Sequence, residues 1–80
     1  MSVKKAVAHR LQALCAQRQI AVNTLANMSG ITPSTIYSIL DPGRKDVGIV
    51  AIKKICDGLD MSLEDFFGSE VFRALEQELV

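Results

Sequence analysis

The chain has 80 residues, of which 49% are hydrophobic and 22% are charged, a balance typical of a folded domain and too apolar for a disordered chain. This length predicts one domain over residues 1–80 and excludes a multidomain enzyme with separate cofactor and substrate lobes. Basic and acidic residues are equal in number, nine of each, so the overall charge gives no support for a polyanionic partner.

The first segment has the periodicity of an amphipathic helix, which we predict over residues 3–18. Lys4, Lys5, Gln12 and Gln17 fall on the face opposite to the apolar stripe. The stripe itself consists of Val3, Val7, Leu11, Leu14 and Cys15.

Three later helix starts share one pattern, an apolar residue before the start and another at the fourth helical position, which is a hydrophobic staple. Thr32 is a good N-cap and Pro33 suits the first helical position, so the second start is the best marked. Ser62 caps the third start, with Asp65 as a weaker capping-box partner. The staple pairs are Ile20 with Leu25, Ile31 with Ile36, and Met61 with Phe66.

The segment after the second start predicts a turn, a loop and a fourth helix. Asp41-Pro42-Gly43 ends the preceding helix, and the loop 42–46 contains Arg44 and Lys45. Asp46 is the expected cap of a helix over residues 47–58. Its predicted core face is Ile49, Ile52, Ile55, Cys56 and Leu59.

The last segment predicts a helix over residues 70–79 after Ser69, with an apolar stripe of Val71, Phe72, Leu75 and Leu79. No alternating strand pattern of useful length occurs. The chain is therefore predicted to be all-α, with five or six short helices.

Helices at 22–29 and 33–41 have the spacing of a helix-turn-helix. Ala26 is small enough for close crossing of the two helices, and Gly30 supplies a positive backbone angle at the turn. Ile31, Ile36 and Ile39 bury the underside of the second helix. The opposite face is short and polar, as a helix entering a major groove must be. A helical hairpin inside a core is the alternative interpretation.

The same residues resemble the phage-repressor and Cro-like helix-turn-helix DNA-binding domains over roughly residues 8–67. The match includes Leu25-Ala26, Ser29-Gly30-Ile31 and Ser34-Thr35-Ile36, then Ile52, Ile55, Leu59 and the run from Met61-Ser62-Leu63 to Phe66-Phe67. The resemblance implies a lambda-repressor-like five-helix bundle, to which 70–79 adds a C-terminal helix. It also implies sequence-specific binding of double-stranded DNA by a bacterial or phage transcriptional regulator, commonly as a homodimer.

The chain departs from the family pattern at several positions. Val22 stands where many members carry a DNA-contacting Gln, and Val47 stands where a Pro is common. Cys15 and Leu40 replace a frequent Arg–Glu pair. Because both partners change to apolar residues together, we interpret this change as a packed core contact without functional meaning.

The predicted DNA-binding residues lie on helix 33–41 and in the following loop. The helix face lacks the Arg, Lys, Asn and Gln side chains that make bidentate base contacts, so direct readout should be modest. Arg44 and Lys45 would anchor phosphates, with Arg18, Lys53 and Lys54 as further candidates. The predicted contacts are Thr32, Pro33, Ser34, Thr35, Tyr37, Ser38, Arg44 and Lys45.

Charge distribution gives a further hint of nucleic-acid binding, although many small helical proteins show such asymmetry by chance. Residues 1–45 carry six basic residues and one acidic residue, whereas residues 46–80 carry three basic and eight acidic ones. The alternative function is a protein-interaction or antitoxin-like module that keeps the fold without strong DNA binding. Val22, the uncharged helix face and the apolar last helix motivate that alternative.

Enzyme, metal and membrane functions find no support in the sequence. His9 has no nearby acidic pattern, and Cys15 and Cys56 fall on predicted core faces without a CxxC or Cys/His cluster. No catalytic residue, cofactor or metal is therefore expected. No segment reaches the roughly 18 apolar residues of a membrane span, and we expect a cytoplasmic location.

The stripe Val71, Phe72, Leu75 and Leu79 either folds back on the bundle or forms a two-fold interface. We favour the interface, because the family core normally closes near Phe67 and the stripe would otherwise be surplus apolar surface.

Overall fold

The computed structural model describes residues 1–79 and contains five α-helices followed by one short 3-10 turn. No strand occurs among these residues, which confirms the all-α prediction. The elements are α1 (Val3–Arg18), α2 (Val22–Ser29), α3 (Pro33–Leu40), α4 (Ile49–Gly58), α5 (Leu63–Phe67) and the 3-10 turn Glu70–Phe72.

Side-chain hydroxyls cap three of the helix starts. The Thr35 amide donates to Thr32 Oγ1 at 3.4 Å, and the Asp65 amide donates to Ser62 Oγ at 2.9 Å. Both caps were predicted from the sequence. Ser2 caps α1 in the same way, because its Oγ accepts from the Lys5 amide at 3.2 Å. Each cap satisfies one of the amides that the first turn of a helix leaves unpaired.

The core lies between α1, α2, α3, α4 and α5, and it contains most of the predicted apolar faces of these helices. The three residues that precede the stapled helices, Ile20, Ile31 and Met61, are partly buried against it. Their partners Leu25, Ile36 and Phe66 are buried completely or nearly so. The core residues are Val7, Leu11, Leu14, Cys15, Leu25, Ala26, Ile36, Ile39, Ile52, Ile55, Cys56, Leu59 and Phe66.

The turn between α2 and α3 has the predicted geometry. Gly30 adopts a left-handed conformation with φ of 68°, which side chains with a Cβ rarely tolerate. Its amide and that of Ile31 return to the end of α2, at Asn27 O and Ala26 O. The Ala26 side chain is fully buried. Because the chain reverses within a few residues, α3 packs directly on α2.

A second close approach joins α2 to α4. A Cβ placed on Gly58 would lie 2.7 Å from Ser29 Oγ and 3.0 Å from the backbone carbonyl carbon and oxygen of Met28. Ser29 Oγ is itself buried and has no hydrogen-bond partner. Glycine at 58 therefore allows the two helices to approach through backbone atoms.

Replacing Ser29 with alanine is expected to raise the free energy of unfolding by about 1 kcal/mol, since the change removes an unpaired buried hydroxyl and improves helix propensity. Chemical denaturation measures this difference. The control Thr24→Ala changes an exposed residue of the same helix and should alter stability by only a few tenths of a kcal/mol. A loss of stability in Ser29→Ala would show that the hydroxyl has a partner in solution.

The predicted start of the fourth helix was wrong by two residues. The helix begins at Ile49 with Gly48 as its N-cap, and Asp46 makes no cap. Val47 packs against the core and Gly48 is extended, with φ of −73° and ψ of 135°, so the chain is still a loop at these positions. Ile49 is consequently 58% exposed rather than part of the core face.

The first turn of α1 also differs from its predicted orientation. Val3 is 40% exposed, whereas Lys4, which was expected to face solvent, is only 7% exposed. Lys4 Nζ donates to the carbonyl of Asp41 at 2.8 Å. The aliphatic stem of the lysine is therefore covered while its charge reaches the end of α3.

The predicted helix over residues 70–79 was wrong. A 3-10 turn covers only Glu70–Phe72, and residues 73–79 are not helical. The Phe72 ring packs against Phe66 and Phe67, with ring centroids 6.0 and 5.0 Å away. The chain then returns to α1, where the Glu76 amide donates to the carbonyl of Met1 at 3.0 Å. These tertiary contacts replace the helical hydrogen bonds.

Basic side chains of α1 bind the ends of three other helices. Besides Lys4 at α3, Arg18 Nη1 donates to Leu59 O at the end of α4, at 2.6 Å. Arg10 donates to Phe66 O and Asp65 O of α5, at 2.9 and 3.0 Å. The last carbonyls of a helix are unpaired and carry partial negative charge. These contacts fix α3, α4 and α5 relative to α1.

Candidate nucleic-acid interface

The outer face of α3 is open to solvent and rich in hydroxyl groups. Thr32, Pro33, Ser34 and Tyr37 are exposed, and Thr35 and Ser38 are half-buried. The opposite face is held in the core by Ile36 and Ile39, which are 0% and 3% exposed. The helix therefore presents a short polar surface from a fixed position.

The hydroxyl groups at the start of α3 form one cluster. Thr32 Oγ1 lies 3.0 Å from Ser34 Oγ and 3.0 Å from Thr35 Oγ1. Each hydroxyl both donates and accepts hydrogen bonds, so the cluster can adapt to either kind of group on a ligand.

Tyr37 is 53% exposed, and its hydroxyl donates to Asn23 Oδ1 in the first turn of α2, at 3.2 Å. The phenol thus links the outer surfaces of the two helices. Sequence analysis did not single out Asn23, although it is the exposed amide that directly follows Val22. Its side-chain NH2 group is a hydrogen-bond donor on this surface.

The loop after α3 carries Arg44 and Lys45, both exposed. Asp41 orders the loop, because its Oδ1 accepts from the Gly43 amide at 2.9 Å and its carbonyl accepts from the Arg44 amide at 3.1 Å. Arg44 Nε lies 3.9 Å from Asp41 Oδ2. A pair this long and this exposed is weak, so the guanidinium can bind another anion.

Lys5, Arg44 and Lys45 line a groove of about 470 Å³ between the start of α1 and this loop. Ser2, His9, Gln12 and Pro42 also line it, as does Glu78. Two of the predicted site residues, Arg44 and Lys45, thus lie in the groove beside residues of α1. The remaining predicted residues lie on α3.

Two other predicted phosphate anchors are engaged elsewhere. Arg18 is bound to the Leu59 carbonyl, and Lys53 forms an ion pair with Asp57 one turn later on α4. Lys54 is exposed and does not line the groove. Arg44 and Lys45 consequently remain the main candidates for anchoring phosphate near α3.

Both cysteines are buried, as predicted, and neither forms a disulfide. Burial raises the pKa of the Cys15 thiol. Burial also raises the pKa of Cys56, with a further increase from Asp57. The thiolate is the nucleophilic form of cysteine, so these side chains behave as small apolar groups. Among residues 1–79, no cluster of potential metal ligands occurs and no helix is long and apolar enough to cross a bilayer.

The sequence also matches a known family model. Residues 10–70 match the model of the Cro/C1-type HTH DNA-binding domain. The chain belongs to this family. No protein of curated function matches the sequence.

The chain also has the same overall fold as a solved structure. That structure is described as the crystal structure of the prophage Lp1 protein 11, is 26% identical to this chain and has a TM-score of 0.82. The alignment covers 94% of this chain and 100% of that one. The similarity therefore extends beyond the helix-turn-helix pair to the whole bundle.

The departures from the Cro/C1-type pattern have structural explanations. Val22 is partly buried against the core. At this position the chain therefore makes an apolar packing contact, where many family members carry a polar Gln. Cys15 is buried and Leu40 packs against the same core. Both positions of the missing ion pair are thus apolar contacts, as the sequence predicted.

Proposed function

We propose that this Cro/C1-type domain is a sequence-specific transcriptional regulator of the Cro/repressor type that places α3 in the major groove of double-stranded DNA. The open, hydroxyl-rich face of α3 is the observation that carries the proposal, because four of its six residues are exposed and the other two, Thr35 and Ser38, are half-buried. A major groove admits an α-helix whose outward side chains are short enough to approach base edges.

The proposed base contacts come from α3. Hydroxyls of Thr32, Ser34, Thr35 and Ser38 bond bases or phosphates, while the threonine methyls and the Pro33 ring contact thymine methyls. Tyr37 and its partner Asn23 add a phenol and an amide at the edge of this surface. Hydroxyl contacts discriminate less than bidentate pairs do, so DNA shape and phosphate contacts contribute much of the affinity.

A titration of randomised duplexes at two salt concentrations, with selection and sequencing of the bound fraction, tests the proposal. We expect an enriched motif and binding that weakens as salt rises, because phosphate contacts release counterions. Lack of duplex binding at low salt, or binding that salt does not weaken, would contradict it.

Arg44 and Lys45 are proposed as phosphate anchors. In Arg44→Gln and Lys45→Gln, duplex affinity should fall equally for all sequences, and the slope of log K against log salt should decrease by about 1 for each change. Fluorescence anisotropy at several salt concentrations measures the slope. Lys54→Gln is the matched control, because it removes an exposed cation of α4 outside the groove. If the slopes for Arg44→Gln and Lys45→Gln equal those for Lys54→Gln and the unchanged protein, other groups anchor the phosphates.

A protein-interaction or antitoxin-like module is the second candidate. Ile49 and Val50 favour it, because they leave an apolar pair 58% and 64% exposed at the start of α4. The DNA titration separates the two candidates, since a partner-protein module would not enrich a motif.

A homodimer on a near-palindromic operator remains part of the proposal, but the helix 70–79 that was expected to supply its interface does not form. Phe72 lies in the aromatic cluster with Phe66 and Phe67, and Leu75 and Leu79 are outside any helix. Val71, Phe72, Leu75 and Leu79 therefore make no continuous stripe. Mass measurement in solution, with and without operator, tests the dimer. The cytoplasmic location remains a prediction from the sequence.

A further inference from the structure

The groove between α1 and the loop after α3 contains an acidic side chain among basic ones. Lys5, Arg44 and Lys45 line it, and Glu78 of the C-terminal segment lines it as well. Glu78 is far from these residues in sequence and comes from a segment that is not helical. The fold therefore brings one carboxylate of its own to the main group of available cations near α3.

The available cations of the groove differ from the other basic residues of α1, which are bound to carbonyl groups of the domain. Lys4, Arg10 and Arg18 each donate to carbonyls at the end of another helix. Of the six basic residues among positions 1–45, the remaining three, Lys5, Arg44 and Lys45, all line the groove, and Lys4 lines it while bound to the Asp41 carbonyl. The surplus positive charge of the first half of the chain is thus concentrated at this place.

Exposed hydrogen bonds to the start of α1 hold the C-terminal segment 73–79 beside the groove. Glu78 Oε2 accepts from the Val3 amide at 3.3 Å, and Glu76 Oε1 lies 3.0 Å from the N-terminal ammonium of Met1. Leu79 is 87% exposed and contributes little apolar burial. Exposed ion pairs contribute little to stability, and Leu75 is the one half-buried side chain among residues 73–79. The segment can therefore leave α1 at a modest free-energy cost.

We propose that Glu78 occupies the position of a DNA phosphate, and that the segment 73–79 competes with the duplex backbone for this groove. The proposal rests on the proposed function, since the competing ligand is the DNA of that function. A duplex whose phosphates enter the groove must displace the carboxylate. The segment therefore lowers affinity for every sequence by a similar factor, and weak nonspecific complexes lose a larger share of their occupancy.

Inorganic phosphate tests the groove without DNA. Its titration at constant pH, followed by 1H–15N NMR, should shift the amides of residues 3–5 and 44–45. The apparent affinity should be about threefold higher in Glu78→Gln than in the unchanged protein, a factor within the range of one exposed ion pair. Glu64→Gln is the matched control, because it removes the same charge from an exposed residue outside the groove.

The second experiment measures binding to a duplex of random sequence. We expect Glu78→Gln to bind it about threefold more tightly at low salt, with a smaller difference at high salt and no change in Glu64→Gln. Equal phosphate affinity in Glu78→Gln and the unchanged protein would overturn the inference, as would phosphate-induced shifts confined to other residues. Tighter phosphate binding without duplex binding by any variant would refute the proposed function and leave competition for phosphate established.

Discussion

Replacing Ser34 with glutamate is expected to weaken duplex binding by about 100-fold, because like charges brought together at an interface cost several kcal/mol. Ser34 is exposed in the first turn of α3, the helix that is proposed to enter the major groove of DNA. The fold should not suffer, since an acidic side chain near a helix N-terminus is favourable. Fluorescence anisotropy with the selected operator measures the affinity, and thermal denaturation measures the stability.

The matched control is Gln17→Glu, which adds the same charge to an exposed position of α1. It should lower affinity by less than about threefold, because Gln17 is not among the proposed DNA contacts and salt screens exposed charges that make no direct contact. Undiminished operator binding by Ser34→Glu would place the DNA on another surface of the domain.

Replacing Gly58 with alanine is expected to lower the free energy of unfolding by about 2 kcal/mol, within the usual range for an overpacked core. The new methyl would lie 2.7 Å from Ser29 Oγ and 3.0 Å from backbone atoms of Met28. A serine side chain can rotate, but a helix backbone moves only if α2 and α4 separate. Urea denaturation measures the loss.

The same substitution at Gly48 serves as a control. A Cβ there would meet nothing within 4 Å, and the backbone of Gly48 is extended rather than left-handed. The free energy of unfolding should change by less than about 0.5 kcal/mol, because reduced chain entropy and a slightly poorer N-cap nearly cancel. Equal stabilities of the two variants would show that the helices adjust without cost.

Local signals predicted most of the fold. The bounds of α1 and α2 agree with the periodicity, and α3 ends one residue earlier than expected, with Asp41 as its C-cap. The hydroxyl caps of Thr32 and Ser62 and the left-handed Gly30 depend only on neighbouring residues. Such features are visible in sequence because the interacting groups lie within one helical turn.

The errors occurred where distant residues compete with local preference. Helical spacing over residues 70–79 gives no information that Phe72 packs on Phe66, or that the chain then returns to Met1. At α4, packing of Val47 prevailed over the capping tendency of Asp46. Tertiary contacts commonly override such weak local preferences.

The candidate site shows the same division. The exposed face of α3 could be predicted, since buried Ile36 and Ile39 fix the direction of every other side chain on that helix. The Tyr37–Asn23 bond and the groove beside Arg44 could not, because their members belong to different elements. Sequence spacing also gave no sign that Arg18 is bound to Leu59.

The attachment of three helix ends to α1 has a consequence for how the domain can be divided. Lys4, Arg10 and Arg18 of α1 bind carbonyl groups at the ends of α3, α5 and α4. Among the described helices after α1, only α2 receives no such cation at its end. An excised fragment carrying only the helix-turn-helix would lose the anchor at Asp41 and much of the apolar support beneath α3. The helix-turn-helix pair is thus a dependent part of a cooperative unit, and grafting it elsewhere requires a substitute for the first helix.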